Sequence, residues 1–484
     1  MGTPLCKGFC VADSGLCRLT AVETVDLLKK KKVSPLELID AAEARIAATD
    51  GAVNAMVTRT FDRARQKARA MKVSDPETPG WLGGLPFAVK DLNDVEGVRT
   101  TFGSPAFRDN VSQRTCLFVQ HLEAMGGLVV GKSNTPEFGA GAQTFNEVFG
   151  ITRNPWDTRL TCAGSSGGAA VALATGQVWL ATGSDLGGSL RTPASFCGVV
   201  GFRPSPGRVP FGPSVLPLNT FPVNGPMGRC VADVALMLDA SAKQHPLDPL
   251  SYAVPSVPFA QAVANPVKPK KVAWAGGFDG ACPLDPEVEE ICRRATLRFA
   301  EIGAIVEDKA PDASGAREAF QVFRGHFMAA SHGALLDGNR DLLKPEVIWN
   351  IEYGRSLSSD DVRRAALLQG QLYGRFARFM TDFDILAAPA APVPPFPVEM
   401  RYVEAINDQK MPSYIDWVLV TSIITMTGLP SVSVPAGFTK SGLPVGLQLV
   451  GRPRGEAALL AAAKLFEDMT GVHRKLPIDP VVRH

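Results

Sequence analysis

Apolar positions along this chain change period several times, and each change marks an element. Between Thr20 and Lys32 they recur at helical spacing, and Thr20-Ala21-Val22-Glu23 has the form of a capping box, which predicts a helix there. Ser34-Pro35-Leu36-Glu37 repeats the signal with Pro at the first helical position, and the helix it opens is predicted to run to about Asp50 and end at Gly51. Leu85–Val89 is an unbroken apolar run ending at Lys90, which reads as a short buried strand. Thr115–Met125 returns to helical spacing, and Leu128–Val130 reads as the next strand. Further strands are predicted at Val178–Thr182, Val272–Trp274, Ile385–Ala388, Ser431–Pro435 and Val445–Val450. Helical patterns lie between them, including Asp361–Met380 and Glu456–Met469. Strands alternating with helices predict an α/β fold with a largely parallel or mixed sheet. His245–Lys271 reads as a surface connection and Pro389–Pro397 as a rigid, proline-dense turn. The strands on both sides of these loops fit one sheet, so residues 1–484 are expected to form a single domain.

Composition narrows the class. The 484 residues are 45% hydrophobic and 20% charged, the balance of a soluble protein with a sizeable core. A net charge of +2 supplies no reason to expect nucleic acid or an anionic membrane as partner. The cluster Lys29–Lys32 follows a helical pattern and suits a helix C-terminus. The most apolar run, Ala169–Thr182, is too short to span a bilayer and is broken by Gly176 and Gln177. Nine cysteines, an odd number, point to reduced thiols, and no apolar signal segment leads the chain, so a cytoplasmic protein is expected. Cys6, Cys10 and Cys17 match no zinc spacing, so neither a metal nor a cofactor is expected.

Three features bear on chemistry. Gly164-Ser165-Ser166-Gly167-Gly168 contains G-x-S-x-G centred on Ser166, the spacing of a nucleophile elbow. An elbow needs a buried strand before it, and Thr158–Cys162 is a poor one, although Asp468 and His473 supply an acid and a histidine in the right order. The second feature is Gly183-Ser184-Asp185-Leu186-Gly187-Gly188-Ser189-Leu190-Arg191, where bare backbone stands beside a hydroxyl. It is either a glycine turn with Ser189 capping a helix, or a cradle for an oxyanion formed when Ser189 attacks a carbonyl. The third is Lys90. A lysine at the end of a buried strand can be desolvated, which lowers its pKa and makes a neutral amine available as a base.

Together these blocks resemble the amidase signature family. Gly-Ser-Ser-Gly-Gly at 164–168, Gly-Ser-Asp-Leu-Gly-Gly-Ser-Leu-Arg at 183–191 and Gly-Phe-Arg-Pro-Ser-Pro-Gly-Arg-Val-Pro at 201–210 carry most of the likeness. Val89-Lys90-Asp91, the run Gly131–Gly139, Thr427-Gly428-Leu429-Pro430 and Gly442–Gln448 flank them in order. The resemblance implies a large twisted mixed sheet covered by helices on both faces, and amide hydrolysis by a Ser–cisSer–Lys triad. It makes Ser189 the nucleophile, Ser165 the bridging serine and Lys90 the base. It places the oxyanion hole on the N–H groups of Leu186, Gly187, Gly188 and Ser189. Ser166, Asp185 and Arg191 become structural support, and Phe138, Gly139 and Thr192 become candidate substrate contacts. Within the one domain it implies N-terminal helices over 1–75, a signature core over 76–215, a variable pocket region over 280–411 and C-terminal strands and a helix over 412–484. The chain departs from the family pattern at Cys162, Ala163 and Arg203, where Pro, Gly and Lys are frequent.

The family contains stand-alone amidases and the glutaminase component of tRNA-dependent amidotransferases. That component usually carries Gln where this chain has Thr192, and Met-Asp-Glu-Phe where it has Thr135-Pro136-Glu137-Phe138, which favours a stand-alone enzyme. The expected substrate is a small acyl or aryl amide rather than a charged one, with ester cleavage as a side activity and Phe320, Phe323, Phe327, His332, Trp349 and Tyr353 as candidate pocket residues. The readings set against it are the amidotransferase glutaminase, an α/β-hydrolase-type esterase built on Ser166, and a binding protein without activity. A homodimer is compatible with the resemblance.

Overall fold

The structure, a computed structural model, describes residues 15–72, 75–141, 143–476 and 478–483, so Cys6 and Cys10 lie outside the described residues. Its centre is an 11-stranded sheet. Across the sheet the strands run Met56–Arg59, Leu128–Ser133, Pro86–Lys90, Leu180–Asp185, Val223–Gly228, Val200–Arg203, Ser431–Phe438, Pro444–Val450, Ile385–Pro389, Lys271–Trp274 and Ile305–Asp308. Pro86–Lys90 is parallel to both of its neighbours, whereas Leu180–Asp185 meets Val223–Gly228 antiparallel, so the sheet is mixed.

Strand alternation explains why both faces are covered. Phe87, Val89, Val129, Leu180, Phe202, Val432 and Leu447 enter one core, with Val234 of the helix Val231–Ser241 and Phe466 of the helix Glu456–Thr470. Their neighbours Ala88, Leu128, Val130 and Ala181 point the other way, onto the helix Gly167–Ala174. On that second face, further along the sheet, Ala273, Leu386 and Ala388 pack under the helices Ala316–Asn339, Ser359–Asp382 and Leu419–Thr427. Because side chains alternate, Lys90 falls on the face of Ala88, toward the helix Gly167–Ala174.

Every predicted strand is present, as are the capping boxes at Thr20 and Ser34. The second helix, however, continues through Gly51 to Val53 and ends at Asn54, whose φ of 53° is left-handed. Gly51 is exposed, so its cost of about 1 kcal/mol is smaller than the gain from keeping Val53 in the core. Four strands of this sheet escaped the pattern: Met56–Arg59, Val200–Arg203, Val223–Gly228 and Ile305–Asp308. Val223-Asn224-Gly225-Pro226-Met227-Gly228 reads locally as a turn, and pairing with Leu180–Asp185 makes it a strand. The described cysteines are all buried. No helix among the described residues is long and apolar enough to cross a membrane.

Phe202 is fully buried in the larger core. Phe202→Ala is expected to lower stability by about 3–5 kcal/mol, while Ser34→Ala, which removes one cap, should cost about 1 kcal/mol. Denaturant unfolding followed by circular dichroism distinguishes the two.

Candidate active site

The serine-rich loops meet at the carboxyl ends of two parallel strands, where open α/β sheets commonly place ligands. Pro86–Lys90 ends on the lysine and Leu180–Asp185 on the aspartate, so one strand delivers a cation and its neighbour an anion to the same end of the sheet. Lys90 is fully buried, and its Nζ donates to Ser165 Oγ at 2.7 Å, Ser166 Oγ at 2.9 Å and Ser184 Oγ at 3.0 Å. No carboxylate lies in ion-pair contact with it among the described residues. Burial brings its pKa down to about 7, against the opposing attraction of Asp185. Lys132, on the adjacent strand, shows the alternative. It is equally buried but stands 3.6 Å from Asp91, and it donates to the Asn93 carbonyl and to Thr100 Oγ1.

Ser165 follows Gly164 through a cis peptide bond. Ser166 stands at the N-terminal cap position of the helix Gly167–Ala174, and its N–H donates to the Ser189 carbonyl at 3.2 Å, tying the two serine loops together. Its Oγ receives Lys90 Nζ and the Ser184 N–H and donates to the Ser184 carbonyl at 3.3 Å. It is fully buried. The strand that a nucleophile elbow requires is missing: before Ser166 the chain makes only isolated bridges at Arg153, Leu160 and Thr161. Of the elbow's other members, His473 lies in the short turn Val472–Lys475 and Asp468 pairs with Lys464.

Asp185 organises the glycine loop. Its carboxylate accepts from the N–H groups of Gly188 and Leu190 at 2.9 and 3.1 Å. Arg191 meets it with Nε at 3.0 Å and Nη2 at 2.9 Å, and Arg203 Nη1 lies 3.2 Å away. Burial alone would raise the Asp185 carboxyl, but the two guanidinium groups outweigh it and hold the group well below the ordinary carboxylate range. Thr421 Oγ1 and Ser422 Oγ donate to the Gly187 carbonyl at 2.7 and 3.3 Å, which pins the loop from the C-terminal side. Gly188 has φ +127°, and a Cβ there would stand 2.3 Å from Thr421 Oγ1, so the position accepts glycine alone. One expectation needs correction. The Gly188 N–H is committed to Asp185, because the loop turns that amide inward toward the buried carboxylate, and it is not available to an oxyanion.

Ser189 opens onto a cavity lined by Gly139, Gly164, Gly187, Gly188, Thr192, Phe320, Arg324, Tyr414 and Trp417, among others. Gly139 and Thr192 therefore stand at the site, but Phe138 does not. Its ring stacks on His332 at 4.3 Å and meets Phe107 edge-on at 6.0 Å. Of the aromatic residues singled out between 320 and 353, Phe320 alone lines the cavity. Phe323 packs on Phe221, Phe327 packs with Met328 and Val347, and the half-exposed Trp349 stacks on Tyr353. The cavity also extends past Met411, since Tyr414, Ile415, Trp417 and Val418 belong to its wall. Sequence reasoning missed these residues, together with Ser184 and Arg324. The aromatic pair in Tyr414-Ile415-Asp416-Trp417 was the available signal, outside any clear periodicity.

The chain is similar to known proteins over nearly its whole length. Residues 37–460 match the Amidase family. The chain is 39% identical to a glutamyl-tRNA(Gln) amidotransferase subunit of Moorella thermoacetica, covering 95% of this chain and 98% of that one. It is 34% identical to an acylamidase of Rhodococcus erythropolis, covering 98% and 100%. Among solved structures, a bacterial aryl acylamidase of the amidase signature family superimposes with a TM-score of 0.88 at 28% identity, covering 96% of this chain and 99% of that one. With a lysine and three serine hydroxyls gathered behind a glycine loop on an 11-stranded mixed sheet, the chain belongs to the amidase signature family of amide-hydrolysing enzymes.

Proposed function

We propose that this amidase cleaves a small acyl or aryl amide through an acyl-enzyme formed on Ser189, with Ser165 as bridging serine and Lys90 as base. The observation that carries the reading is the setting of Lys90: buried, without a carboxylate in ion-pair contact among the described residues, and 2.7 Å from Ser165 Oγ. An ammonium there has hydroxyl oxygens but no counter-ion in contact, so the neutral amine is accessible near pH 7 and can accept a proton. In the forward direction Lys90 takes the proton of Ser165, Ser165 takes that of Ser189, and Ser189 Oγ bonds to the carbonyl carbon. The carbonyl electron pair moves onto oxygen, facing the N–H groups of Leu186, Gly187 and Ser189. Collapse expels the amine, which leaves with the proton returned along the same relay. Water then repeats the sequence on the ester, regenerating Ser189 and releasing the acid. Asp185, Arg191 and Arg203 hold the loop so that its amides need not reorganise as charge develops.

A second reading has one observation behind it, the 39% identity to an amidotransferase component. Thr192, on the cavity wall where that component usually carries Gln, favours the stand-alone enzyme. Purified alone, the chain is expected to hydrolyse acyl anilides without any partner chain. Activity that requires glutamine and two co-purifying chains would establish the other reading.

Ser189→Ala should lower kcat by at least about 1,000-fold on acyl anilides, and hydroxylamine should capture the acyl group from the unaltered enzyme as a hydroxamate. If Ser189→Ala keeps full activity while Ser166→Ala or His473→Ala abolishes it, the assignment is wrong. The pH profile gives a separate check. Because the base is the neutral form of Lys90, kcat/KM should rise with pH through a midpoint of about 7. A midpoint above about 9, near that of a solvated lysine, would contradict the assignment.

A further inference from the structure

Arg324 lies in the wall of the Ser189 cavity, 8% exposed, on the helix Ala316–Asn339. Its partners are neutral. Nε donates to Asn350 Oδ1 at 3.1 Å and Nη2 to Tyr414 OH at 2.8 Å, while Nη1 has no protein acceptor among the described residues. No carboxylate stands within ion-pair distance of it there. Three other buried arginines stand in ion-pair contact with an acid, Arg191 and Arg203 with Asp185 and Arg208 with Glu456, whereas Arg229 donates to the Cys17 and Leu19 carbonyls. Glu346 and Asp416, which flank its partners Asn350 and Tyr414 in the chain, pair with other arginines, Arg401 and Arg317. A second buried cation deepens the imbalance. Lys344 Nζ has no hydrogen-bond partner among the described residues and would touch a Cβ on the cavity-lining Gly141 at 3.0 Å. Its own surroundings include Glu137 and Glu346, so its charge is in part answered, whereas Arg324 has no acid in contact among the described residues.

Burying a guanidinium without an anion is costly, and a site keeps such a group where a ligand supplies the missing charge. Tyr414 adds to the pattern. Its oxygen accepts from both Arg324 Nη2 and Asn350 Nδ2, so its own proton is left to donate, and the residue lines the cavity. Position sets the reach. Phe320 lies one helical turn before Arg324 on the same face, and a Cβ on Gly187 would come within 2.8 Å of Phe320 Cζ. Along the helix axis Arg324 is thus about 6 Å beyond Phe320, which closes on the glycine loop.

We propose that Arg324 and Tyr414 bind a carboxylate of the substrate, so that the amides this enzyme prefers carry a carboxylate a few bonds from the scissile carbonyl. This rests on the reading that Ser189 acylates in this cavity. It replaces the expectation of an uncharged substrate: the sequence offered aromatic residues for the pocket, and the folded chain presents an unpaired guanidinium instead.

The experiment compares acetyl, succinyl and glutaryl mono-p-nitroanilides on the unaltered enzyme, on Arg324→Gln and on Arg324→Lys. One carboxylate-bearing anilide should exceed the acetyl compound in kcat/KM by about 10- to 100-fold, the worth of a charge-assisted hydrogen bond. Arg324→Gln should remove that preference mainly through KM, lowering kcat/KM on the charged anilides about 10-fold or more beyond any loss on the acetyl compound, and be partly rescued by Arg324→Lys. Equal loss on charged and neutral anilides, or preference for the acetyl compound before substitution, overturns the proposal. Binding separates it from the hydrolase reading. Calorimetry with succinyl and glutaryl anilides on Ser189→Ala should show binding that weakens about 10-fold or more when Arg324→Gln is added, with thermal melting to show that the double variant is folded. Binding without turnover in the unaltered enzyme would retain Arg324 and reject the acyl-enzyme. Turnover without carboxylate-dependent binding would do the reverse.

Discussion

A lysine that the fold dehydrates without neutralising governs this site. Lys90 is carried into the interior by a strand whose five residues are all buried, and three serine oxygens receive its Nζ. Hydroxyls solvate an ammonium less well than water does and bring no opposite charge, so the balance between amine and ammonium moves toward neutral pH. Lys132, one strand away, has Asp91 beside it and serves the packing of its loop through Asn93 and Thr100.

Asp185 is the counterweight. It ends the strand next to Lys90 and its charge is felt there, yet its oxygens are spent on Arg191, Arg203 and the amides of Gly188 and Leu190. A buried carboxylate held by two buried guanidinium groups is a rigid unit, since loss of Asp185 would leave both cations uncompensated in the core. That unit fixes the turn from which Ser189 projects and decides which amides face outward. Gly188 turns its N–H in to the carboxylate, and its missing side chain lets Thr421 approach to hold the neighbouring carbonyl. The glycines therefore do two separate tasks, one structural at Gly188 and one at the cavity wall at Gly187, where Phe320 closes in.

The far wall of the cavity is assembled differently. Phe320 and Arg324 come from one long helix, Tyr414 and Trp417 from an irregular segment after it, and Asn350 reaches in from a third element to orient both polar groups. In this wall a guanidinium has no acid in contact, whereas behind the serines two guanidinium groups close on the Asp185 carboxylate. On the proposed function, the reacting half is held by its own ion pairs and the recognition half leaves a charge for the substrate to meet.

The sequence by itself determined the strand at Lys90, the capped helices, the α/β class and the motifs on which Lys90, Ser165 and Ser189 lie, because these follow from local period, capping chemistry and short runs whose spacing is nearly invariant under folding. Strands such as Val223–Gly228 were illegible because their Gly and Pro positions become strand only when a neighbour offers a ladder. Only the tertiary structure decided that Gly188 faces Asp185, that Phe138 turns to His332, and that Arg324 reaches the cavity without an acid beside it. Each of those depends on which side chain from a distant part of the chain arrives within a few ångströms, and neither the period nor the composition of a segment encodes that arrival.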